Sequence, residues 1–155
     1  MRILILYSEL AGYTLACLRE LMKNEKHEVC LVRWPVNQEA PFQFEFDERI
    51  QVYDRDQLDD TAVARVASQF QPDIIFISGW MDKGYLKAAL PFRKQGVPVI
   101  AGIDNQWVGS LRQQVATWMS PWLVKKYFSH MWVSGLRQYE YARRLGFPRH
   151  HIRLG

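Results

Sequence analysis

A chain of 155 residues has the length of one ordinary domain, enough to bury roughly two thirds of the surface its unfolded form exposes, so a single core without disulfide or metal staples is expected. Hydrophobic residues at 48% and charged residues at 23% exclude a largely disordered chain, and a net charge of +4 with a pI near 9.2 suits phosphate-bearing ligands or an anionic surface without demanding either. The apolar start, residues 1–6, is too short for a membrane span or a signal-peptide core and meets Glu9 almost at once, which predicts a soluble cytoplasmic protein.

Residues 2–7 are continuously apolar rather than alternating, as in a strand covered on both faces of a parallel sheet. Leu15, Leu18, Leu21 and Met22 then recur at helical spacing. Residues 27–34, with Val29, Leu31 and Val32, make a second strand that Pro35 ends, closing a right-handed βαβ unit. Residues 37–48 carry Pro41 and alternating Phe42, Phe44 and Phe46, and read either as an irregular insertion or as a short edge strand. A short strand at 50–53 precedes a helix on which Ala62, Val66 and Phe70 lie four apart before Pro72. The run 73–78 is the clearest buried strand, followed by a helix to about Arg93 and a strand at 97–101. A helical stretch at 109–127 broken by Pro121, a strand at 130–133 and a helix at 136–145 complete the chain. For that last helix Ser134 is the expected N-cap, with Gly146 and Pro148 beyond its end. Alternating β and α elements with short loops predict an α/β fold, a doubly wound Rossmann-like parallel sheet, in one domain over 1–155. Cys17 and Cys30 fall inside predicted elements without metal-type spacing and are expected as buried thiols.

In such a sheet, ligands collect at the carboxyl ends of the strands, where helix N-termini present free amides. Four loops qualify: 8–13, 78–82, 102–109 and 134–135. The first holds a single glycine, Gly12, without the GxGxxG or GxxxxGKS pattern of a dinucleotide site or P-loop. Gly12 either admits a phosphate or eases the turn. Trp80 either stacks on a sugar ring or packs on the rim. Asp104, Asn105 and Trp107 put an acid, an amide and an indole at one strand end, a set that grips hydroxyl-rich ligands, although Asp104 or Asn105 could instead cap the next helix. Ser134 is a cap first and a ligand contact second. The four histidines form no i,i+4 pair and no Ser-His-Asp pattern, so no metal site and no triad are expected.

The order and spacing of residues 2–6, 72–77, 97–104, 133–135 and 145–148 resemble the N-terminal domain of group 1 glycosyltransferases of the GT-B architecture, over nearly the whole chain. The resemblance implies two Rossmann-like domains across a cleft. The glycan or lipid-linked acceptor would lie mainly on the N-terminal one and the nucleotide-sugar donor mainly on the C-terminal one, with no cofactor beyond that co-substrate. It implies that Gly12 faces the donor phosphates, that Asp104 is the catalytic position where many members carry a histidine contacting the transferred sugar, and that Ser134 corresponds to the serine after the last strand. Trp80, Asn105 and Trp107 join them as substrate-binding candidates. It further implies that residues 1–155 are the acceptor-side domain alone, without the donor-binding acidic motif, monomeric and unable to transfer sugar by themselves. For residues 109–127, where indoles alternate with basic residues, two readings stand: core packing, or peripheral contact with a membrane carrying a lipid-linked acceptor. No nucleic-acid partner is expected. Two other readings remain. One is half of another sugar-nucleotide enzyme, such as an epimerase. The other is a flavodoxin-like or receiver-like module, for which Glu9 is the only carboxylate in the first loop.

Overall fold

The computed structural model describes residues 1–10, 12–35 and 45–155. The expected insertion or edge strand at 37–48 therefore lies outside the described residues up to 44. Seven strands, β1 (Arg2–Tyr7), β2 (Glu28–Arg33), β3 (Ile50–Asp54), β4 (Ile74–Ser78), β5 (Val99–Ile103), β6 (His130–Val133) and β7 (Ile152–Leu154), form one sheet in the order 3-2-1-4-5-6-7. Every pairing is parallel. This is the Rossmann order with one strand added. It is not the 2-1-3-4-5 order of flavodoxin and receiver domains, and that alternative falls. The order reverses between β1 and β4, so the crevice at their carboxyl ends is the topological switch point.

Among the described residues six helices connect the strands: α1 (Gly12–Met22), α2 (Asp60–Phe70), α3 (Lys83–Lys94), α4 (Leu111–Trp118), α5 (Ser120–Leu123) and α6 (Leu136–Arg144). Short polar side chains set where several of them start. Asp59 accepts from the Ala62 amide ahead of α2, Asp82 from the Gly84 and Tyr85 amides ahead of α3, and Ser110 from the Gln113 amide ahead of α4. Gln71, in the left-handed region at φ 51°, ends α2 just before Pro72.

The two faces of the sheet are covered unequally. Val63 and Phe70 of α2, Tyr85 and Phe92 of α3, Val124 and Phe128 after α5, and Tyr141 of α6 bury one face from β2 to β7. On the other face, Leu18 and Met22 of α1 pack over Ile3, Ile5, Val29, Leu31 and Ile50. From β1 across β4 to β6 this second face carries an aromatic row. Tyr7 stacks on Phe76 at 6.1 Å, and Phe76 meets Trp132 edge-on at 5.7 Å. The Phe76 ring occupies the space that a Cβ on Gly102 would need, so β5 carries a glycine there.

Several expectations are corrected. β5 lies two residues later than the apolar run suggested, because Pro98 offers only its carbonyl, which accepts from the Ile75 amide. β7, only three residues long, was too short to show a period. Cys17 is exposed on α1, whereas Cys30 is buried in β2, which pushes its thiol up to about 12. Ser134 does not cap α6: Gly135 holds that position, with no side-chain bond. Neither Asp104 nor Asn105 caps α4, since Ser110 does. No residue of α4 is buried, so core packing does not account for its apolar side chains.

Candidate functional site

At the switch point the loops after β1, β2, β3 and β4 converge on an open concavity of about 500 Å³, lined by Ser8, Trp34, Arg55, Asp60, Met81, Asp82, Lys83 and Gly84. The Ser8 amide donates to Ser78 Oγ at 2.7 Å, which ties the β1 loop to the end of β4. Asp82 is the hub. Besides capping α3, it accepts from Trp34 Nε1 at 3.0 Å and from Arg55 Nε at 3.0 Å. Its side chain is 8% exposed and that of Arg55 10%.

Arg55 sits in a single 3-10 turn, Arg55–Gln57, directly after β3. Its guanidinium also donates to Asp60 Oδ1 at 2.8 Å and to the Leu58 carbonyl, and lies 5.4 Å from the Trp34 ring and 5.7 Å from the Tyr85 ring. Lys87 Nζ closes the far side of Asp60 at 2.9 Å. Gly84 is required here because a Cβ would meet the Asp60 carboxylate and the Arg55 guanidinium. The Tyr85 hydroxyl donates toward the Tyr7 and Val32 carbonyls, both at 3.2 Å, and burial pushes its pKa well up.

Burial opposes ionisation of Asp82, yet the Arg55 hydrogen bond, the Tyr85 amide and the Trp34 indole outweigh it and hold the carboxyl below the usual range. The Lys87 hydrogen bond lowers Asp60 against its burial, with Arg55 adding to the effect. With both oxygens engaged, Asp82 is a fixed charge and not a proton acceptor. Its consequence for a ligand is a Trp34 indole held in place beside a charge-balanced wall of paired carboxylates and cations, with Lys83 exposed at the rim.

The residues singled out from the sequence fall mainly around the β5 and β6 ends. Asp104 and Asn105 are exposed directly after β5, and the Asp104 carbonyl accepts from Gln138 Nε2 of α6 at 2.8 Å. Trp107 and Trp80 converge on one residue. Their rings lie 5.7 Å and 6.4 Å from that of Tyr141, and Arg144 covers Trp107 at 4.6 Å. Both indoles are half-buried, with Trp80 on the rim between the two groups of loops. Gly12 opens α1, exposed, with free space where a Cβ would stand, and Ser134 is exposed after β6. The structure thus joins Asp104 and Trp107 to α6 and leaves Asn105 exposed between them, while Trp34, Arg55, Asp60 and Asp82 build the concavity. Sequence reasoning overlooked those four because they come from three separate loops. The local signs were the loop 78–82, which ends on Asp82, and the pair Asp59 and Asp60 before the α2 pattern.

A smaller cleft of about 210 Å³ lies between α1 and residues 45–50, at the amino end of β3. Arg49 there is closed on Asp47 and on the Met22 carbonyl. Among the described residues, no group of three or more His, Cys, Asp or Glu side chains is placed to hold a metal ion.

No family model matches the chain, and no curated protein matches it either. Solved structures do. A UDP-GlcNAc 2-epimerase from Neisseria meningitidis, bound to UDP-GlcNAc, is similar over 99% of this chain with TM-score 0.62 and 16% identity. MnaA from S. aureus, solved with UDP, is similar over 99% with TM-score 0.63 and 11% identity. L-threonine dehydrogenase from Clostridium difficile is similar over 86% with TM-score 0.53 and 11% identity. At such identities the likeness establishes the Rossmann-like fold, which unrelated chemistries share. The chain spans 45% of the epimerase, 44% of MnaA and 53% of the dehydrogenase.

Proposed function

We propose that this chain is the acceptor-side domain of a nucleotide-sugar glycosyltransferase, which moves a sugar from a nucleotide-sugar to a glycan or lipid-linked acceptor. The observation that carries the reading is the Trp34 indole, fixed by Asp82 and Arg55 over an open concavity at the switch point of a Rossmann-type sheet. An indole face with carboxylates beside it suits a sugar ring, whose axial and equatorial hydroxyls donate while its C–H face packs. The resemblance to group 1 glycosyltransferases in residue order adds the reaction type. An acceptor hydroxyl attacks the anomeric carbon, the nucleoside diphosphate leaves, and the hydroxyl proton passes to a base. In this reading Asp104 faces the charge that develops on the transferred sugar, and the donor is held by a second domain that excludes water from the cleft.

A second reading is half of a nucleotide-sugar epimerase, favoured by the UDP-GlcNAc 2-epimerases among the similar structures. Product analysis separates the two. The protein carrying both domains, incubated with nucleotide-sugars and candidate acceptors, should release nucleoside diphosphate only when acceptor is present, while residues 1–155 alone should release none. Acceptor-independent conversion of UDP-GlcNAc to its 2-epimer, seen by proton NMR with no UDP released, would replace transfer by epimerisation. Trp34→Ala should raise the KM for acceptor more than that for donor; an unchanged acceptor KM removes the concavity from the site.

A further inference from the structure

The least accounted-for surface is the α4–α5 region. Leu111, Val115, Trp118 and Trp122 are spaced four, three and four residues apart, which puts them on one stripe of a nearly continuous helical segment. All four face solvent, with Leu111 79% exposed, Trp118 75% and Trp122 63%. The two indoles touch only edge-on, 6.3 Å apart. Scattered exposed apolar residues need no explanation, but a stripe of this kind on a helix with nothing buried does.

Charge says what covers it. From residue 105 to residue 139 the sequence contains no Asp or Glu, while Arg112, Lys125, Lys126 and Arg137 add four positive charges. That equals the formal net charge of the whole chain, +4, so the rest of the molecule is balanced and its excess lies here. Lys125 and Lys126 lie three and four residues beyond Trp122 and are both exposed. A second copy of the same acid-free stretch would set like charge against like, which disfavours self-association through it. An indole-bearing apolar stripe flanked by lysines matches the headgroup zone of an anionic bilayer, where indoles sit at the boundary and basic side chains meet lipid phosphates. Among the described residues no helix is long and apolar enough to cross a membrane, so the contact is one of lying on the surface.

We propose that α4 and α5 dock the protein peripherally on an anionic lipid bilayer, with Trp118 and Trp122 entering the headgroup zone and Lys125 and Lys126 engaging its phosphates. The inference goes beyond the transferase reading and does not rest on it. Because α4 follows the loop holding Asp104, docking would bring the carboxyl edge of the sheet close to the bilayer.

The test is co-sedimentation of the purified protein with vesicles of phosphatidylglycerol and phosphatidylcholine at low salt, against phosphatidylcholine alone. Binding should require the anionic lipid and fall as salt rises. Each basic residue near such a surface is worth about 1 kcal/mol, roughly fivefold in partitioning, so Lys125→Glu with Lys126→Glu should cost at least about tenfold. Trp118→Ala with Trp122→Ala should weaken binding comparably while leaving thermal unfolding unchanged. In the unsubstituted protein, lipids brominated near the headgroup should quench part of the tryptophan emission, a readout independent of how the variants fold. No anion-dependent sedimentation, no quenching, or binding indifferent to both double variants overturns the proposal. So does a dimer by sedimentation equilibrium that Trp118→Ala dissociates, which would make a second copy the occupant.

Discussion

Asp82→Asn isolates the polar hub of the switch-point loops. The amide keeps one oxygen for the Gly84 and Tyr85 amides, so the start of α3 stays capped. It turns an NH2 group toward Trp34 Nε1 and Arg55 Nε, both of which donate, and leaves the buried guanidinium with Asp60 and the Leu58 carbonyl. Removing one partner of a buried ion pair costs about 3–5 kcal/mol, and the two partners that Arg55 keeps bring the expectation to about 3 kcal/mol. For a domain of this size that is a fall in Tm of about 6–12 °C. Urea titration followed by tryptophan emission should show a lower midpoint at unchanged slope.

The pH dependence has a definite sign. Burial raises the Asp82 carboxyl less than Arg55, the Tyr85 amide and Trp34 lower it, so its folded pKa lies below the unfolded value of about 3.9. The stability it contributes is present above that value and is lost as pH falls through the folded pKa. The gap between the native protein and Asp82→Asn should therefore close on acidification below about pH 4. Asp60→Asn, at a carboxylate 42% exposed, should move the midpoint far less. A loss below about 1 kcal/mol for Asp82→Asn, or an equal loss for Asp60→Asn, would refute the assignment of Asp82 as the hub.

Three further outcomes are expected. Gly102→Ala should displace the Phe76 ring and cost about 1–3 kcal/mol, with a changed near-ultraviolet signal from Trp132; an unchanged spectrum and stability would mean that the aromatic row tolerates a methyl group. In the two-domain protein, under the proposed transfer reaction, Asp104→Asn should lower turnover by about a hundredfold with modest change in KM, and near-native turnover removes Asp104 from the site. His130 lies at the amino end of β6. Burial, and then His151, Arg93, Arg153 and His150 around it, lower its pKa from 6.5. Folding therefore favours its neutral form, and Tm should begin to fall as pH drops below about 6.5; His130→Gln should flatten that slope, and an identical slope in the variant sinks the attribution.

Much of the architecture was legible because a buried strand or helix face must be apolar at its own period, and that constraint is local. The runs at β1, β2 and β4 and the stop of α2 before Pro72 declare themselves within a few residues. The Rossmann-like class follows from their alternation. Strand order does not, and only the three-dimensional pairing set β1 between β2 and β4 and so excluded the flavodoxin alternative. Short or irregular pieces were also hidden. β7 has three residues, and the turn at Arg55 has no period at all. Asp104, Asn105 and Trp107 could be singled out because they are neighbours in one loop. Trp34, Arg55 and Asp82 could not, since nothing near Arg55 in the chain says that its charge will be met by a carboxylate 27 residues on. The exposure of α4 belongs to the same category: a helix with an apolar stripe reads alike whether it is buried or bare, and only the packing of the other elements leaves Trp118 and Trp122 without cover from the core. Local sequence thus determined which segments could be strands and helices, since propensity and period act over a few residues. Tertiary structure decided which side chains meet, because those contacts depend on where the strand order brings the loops together.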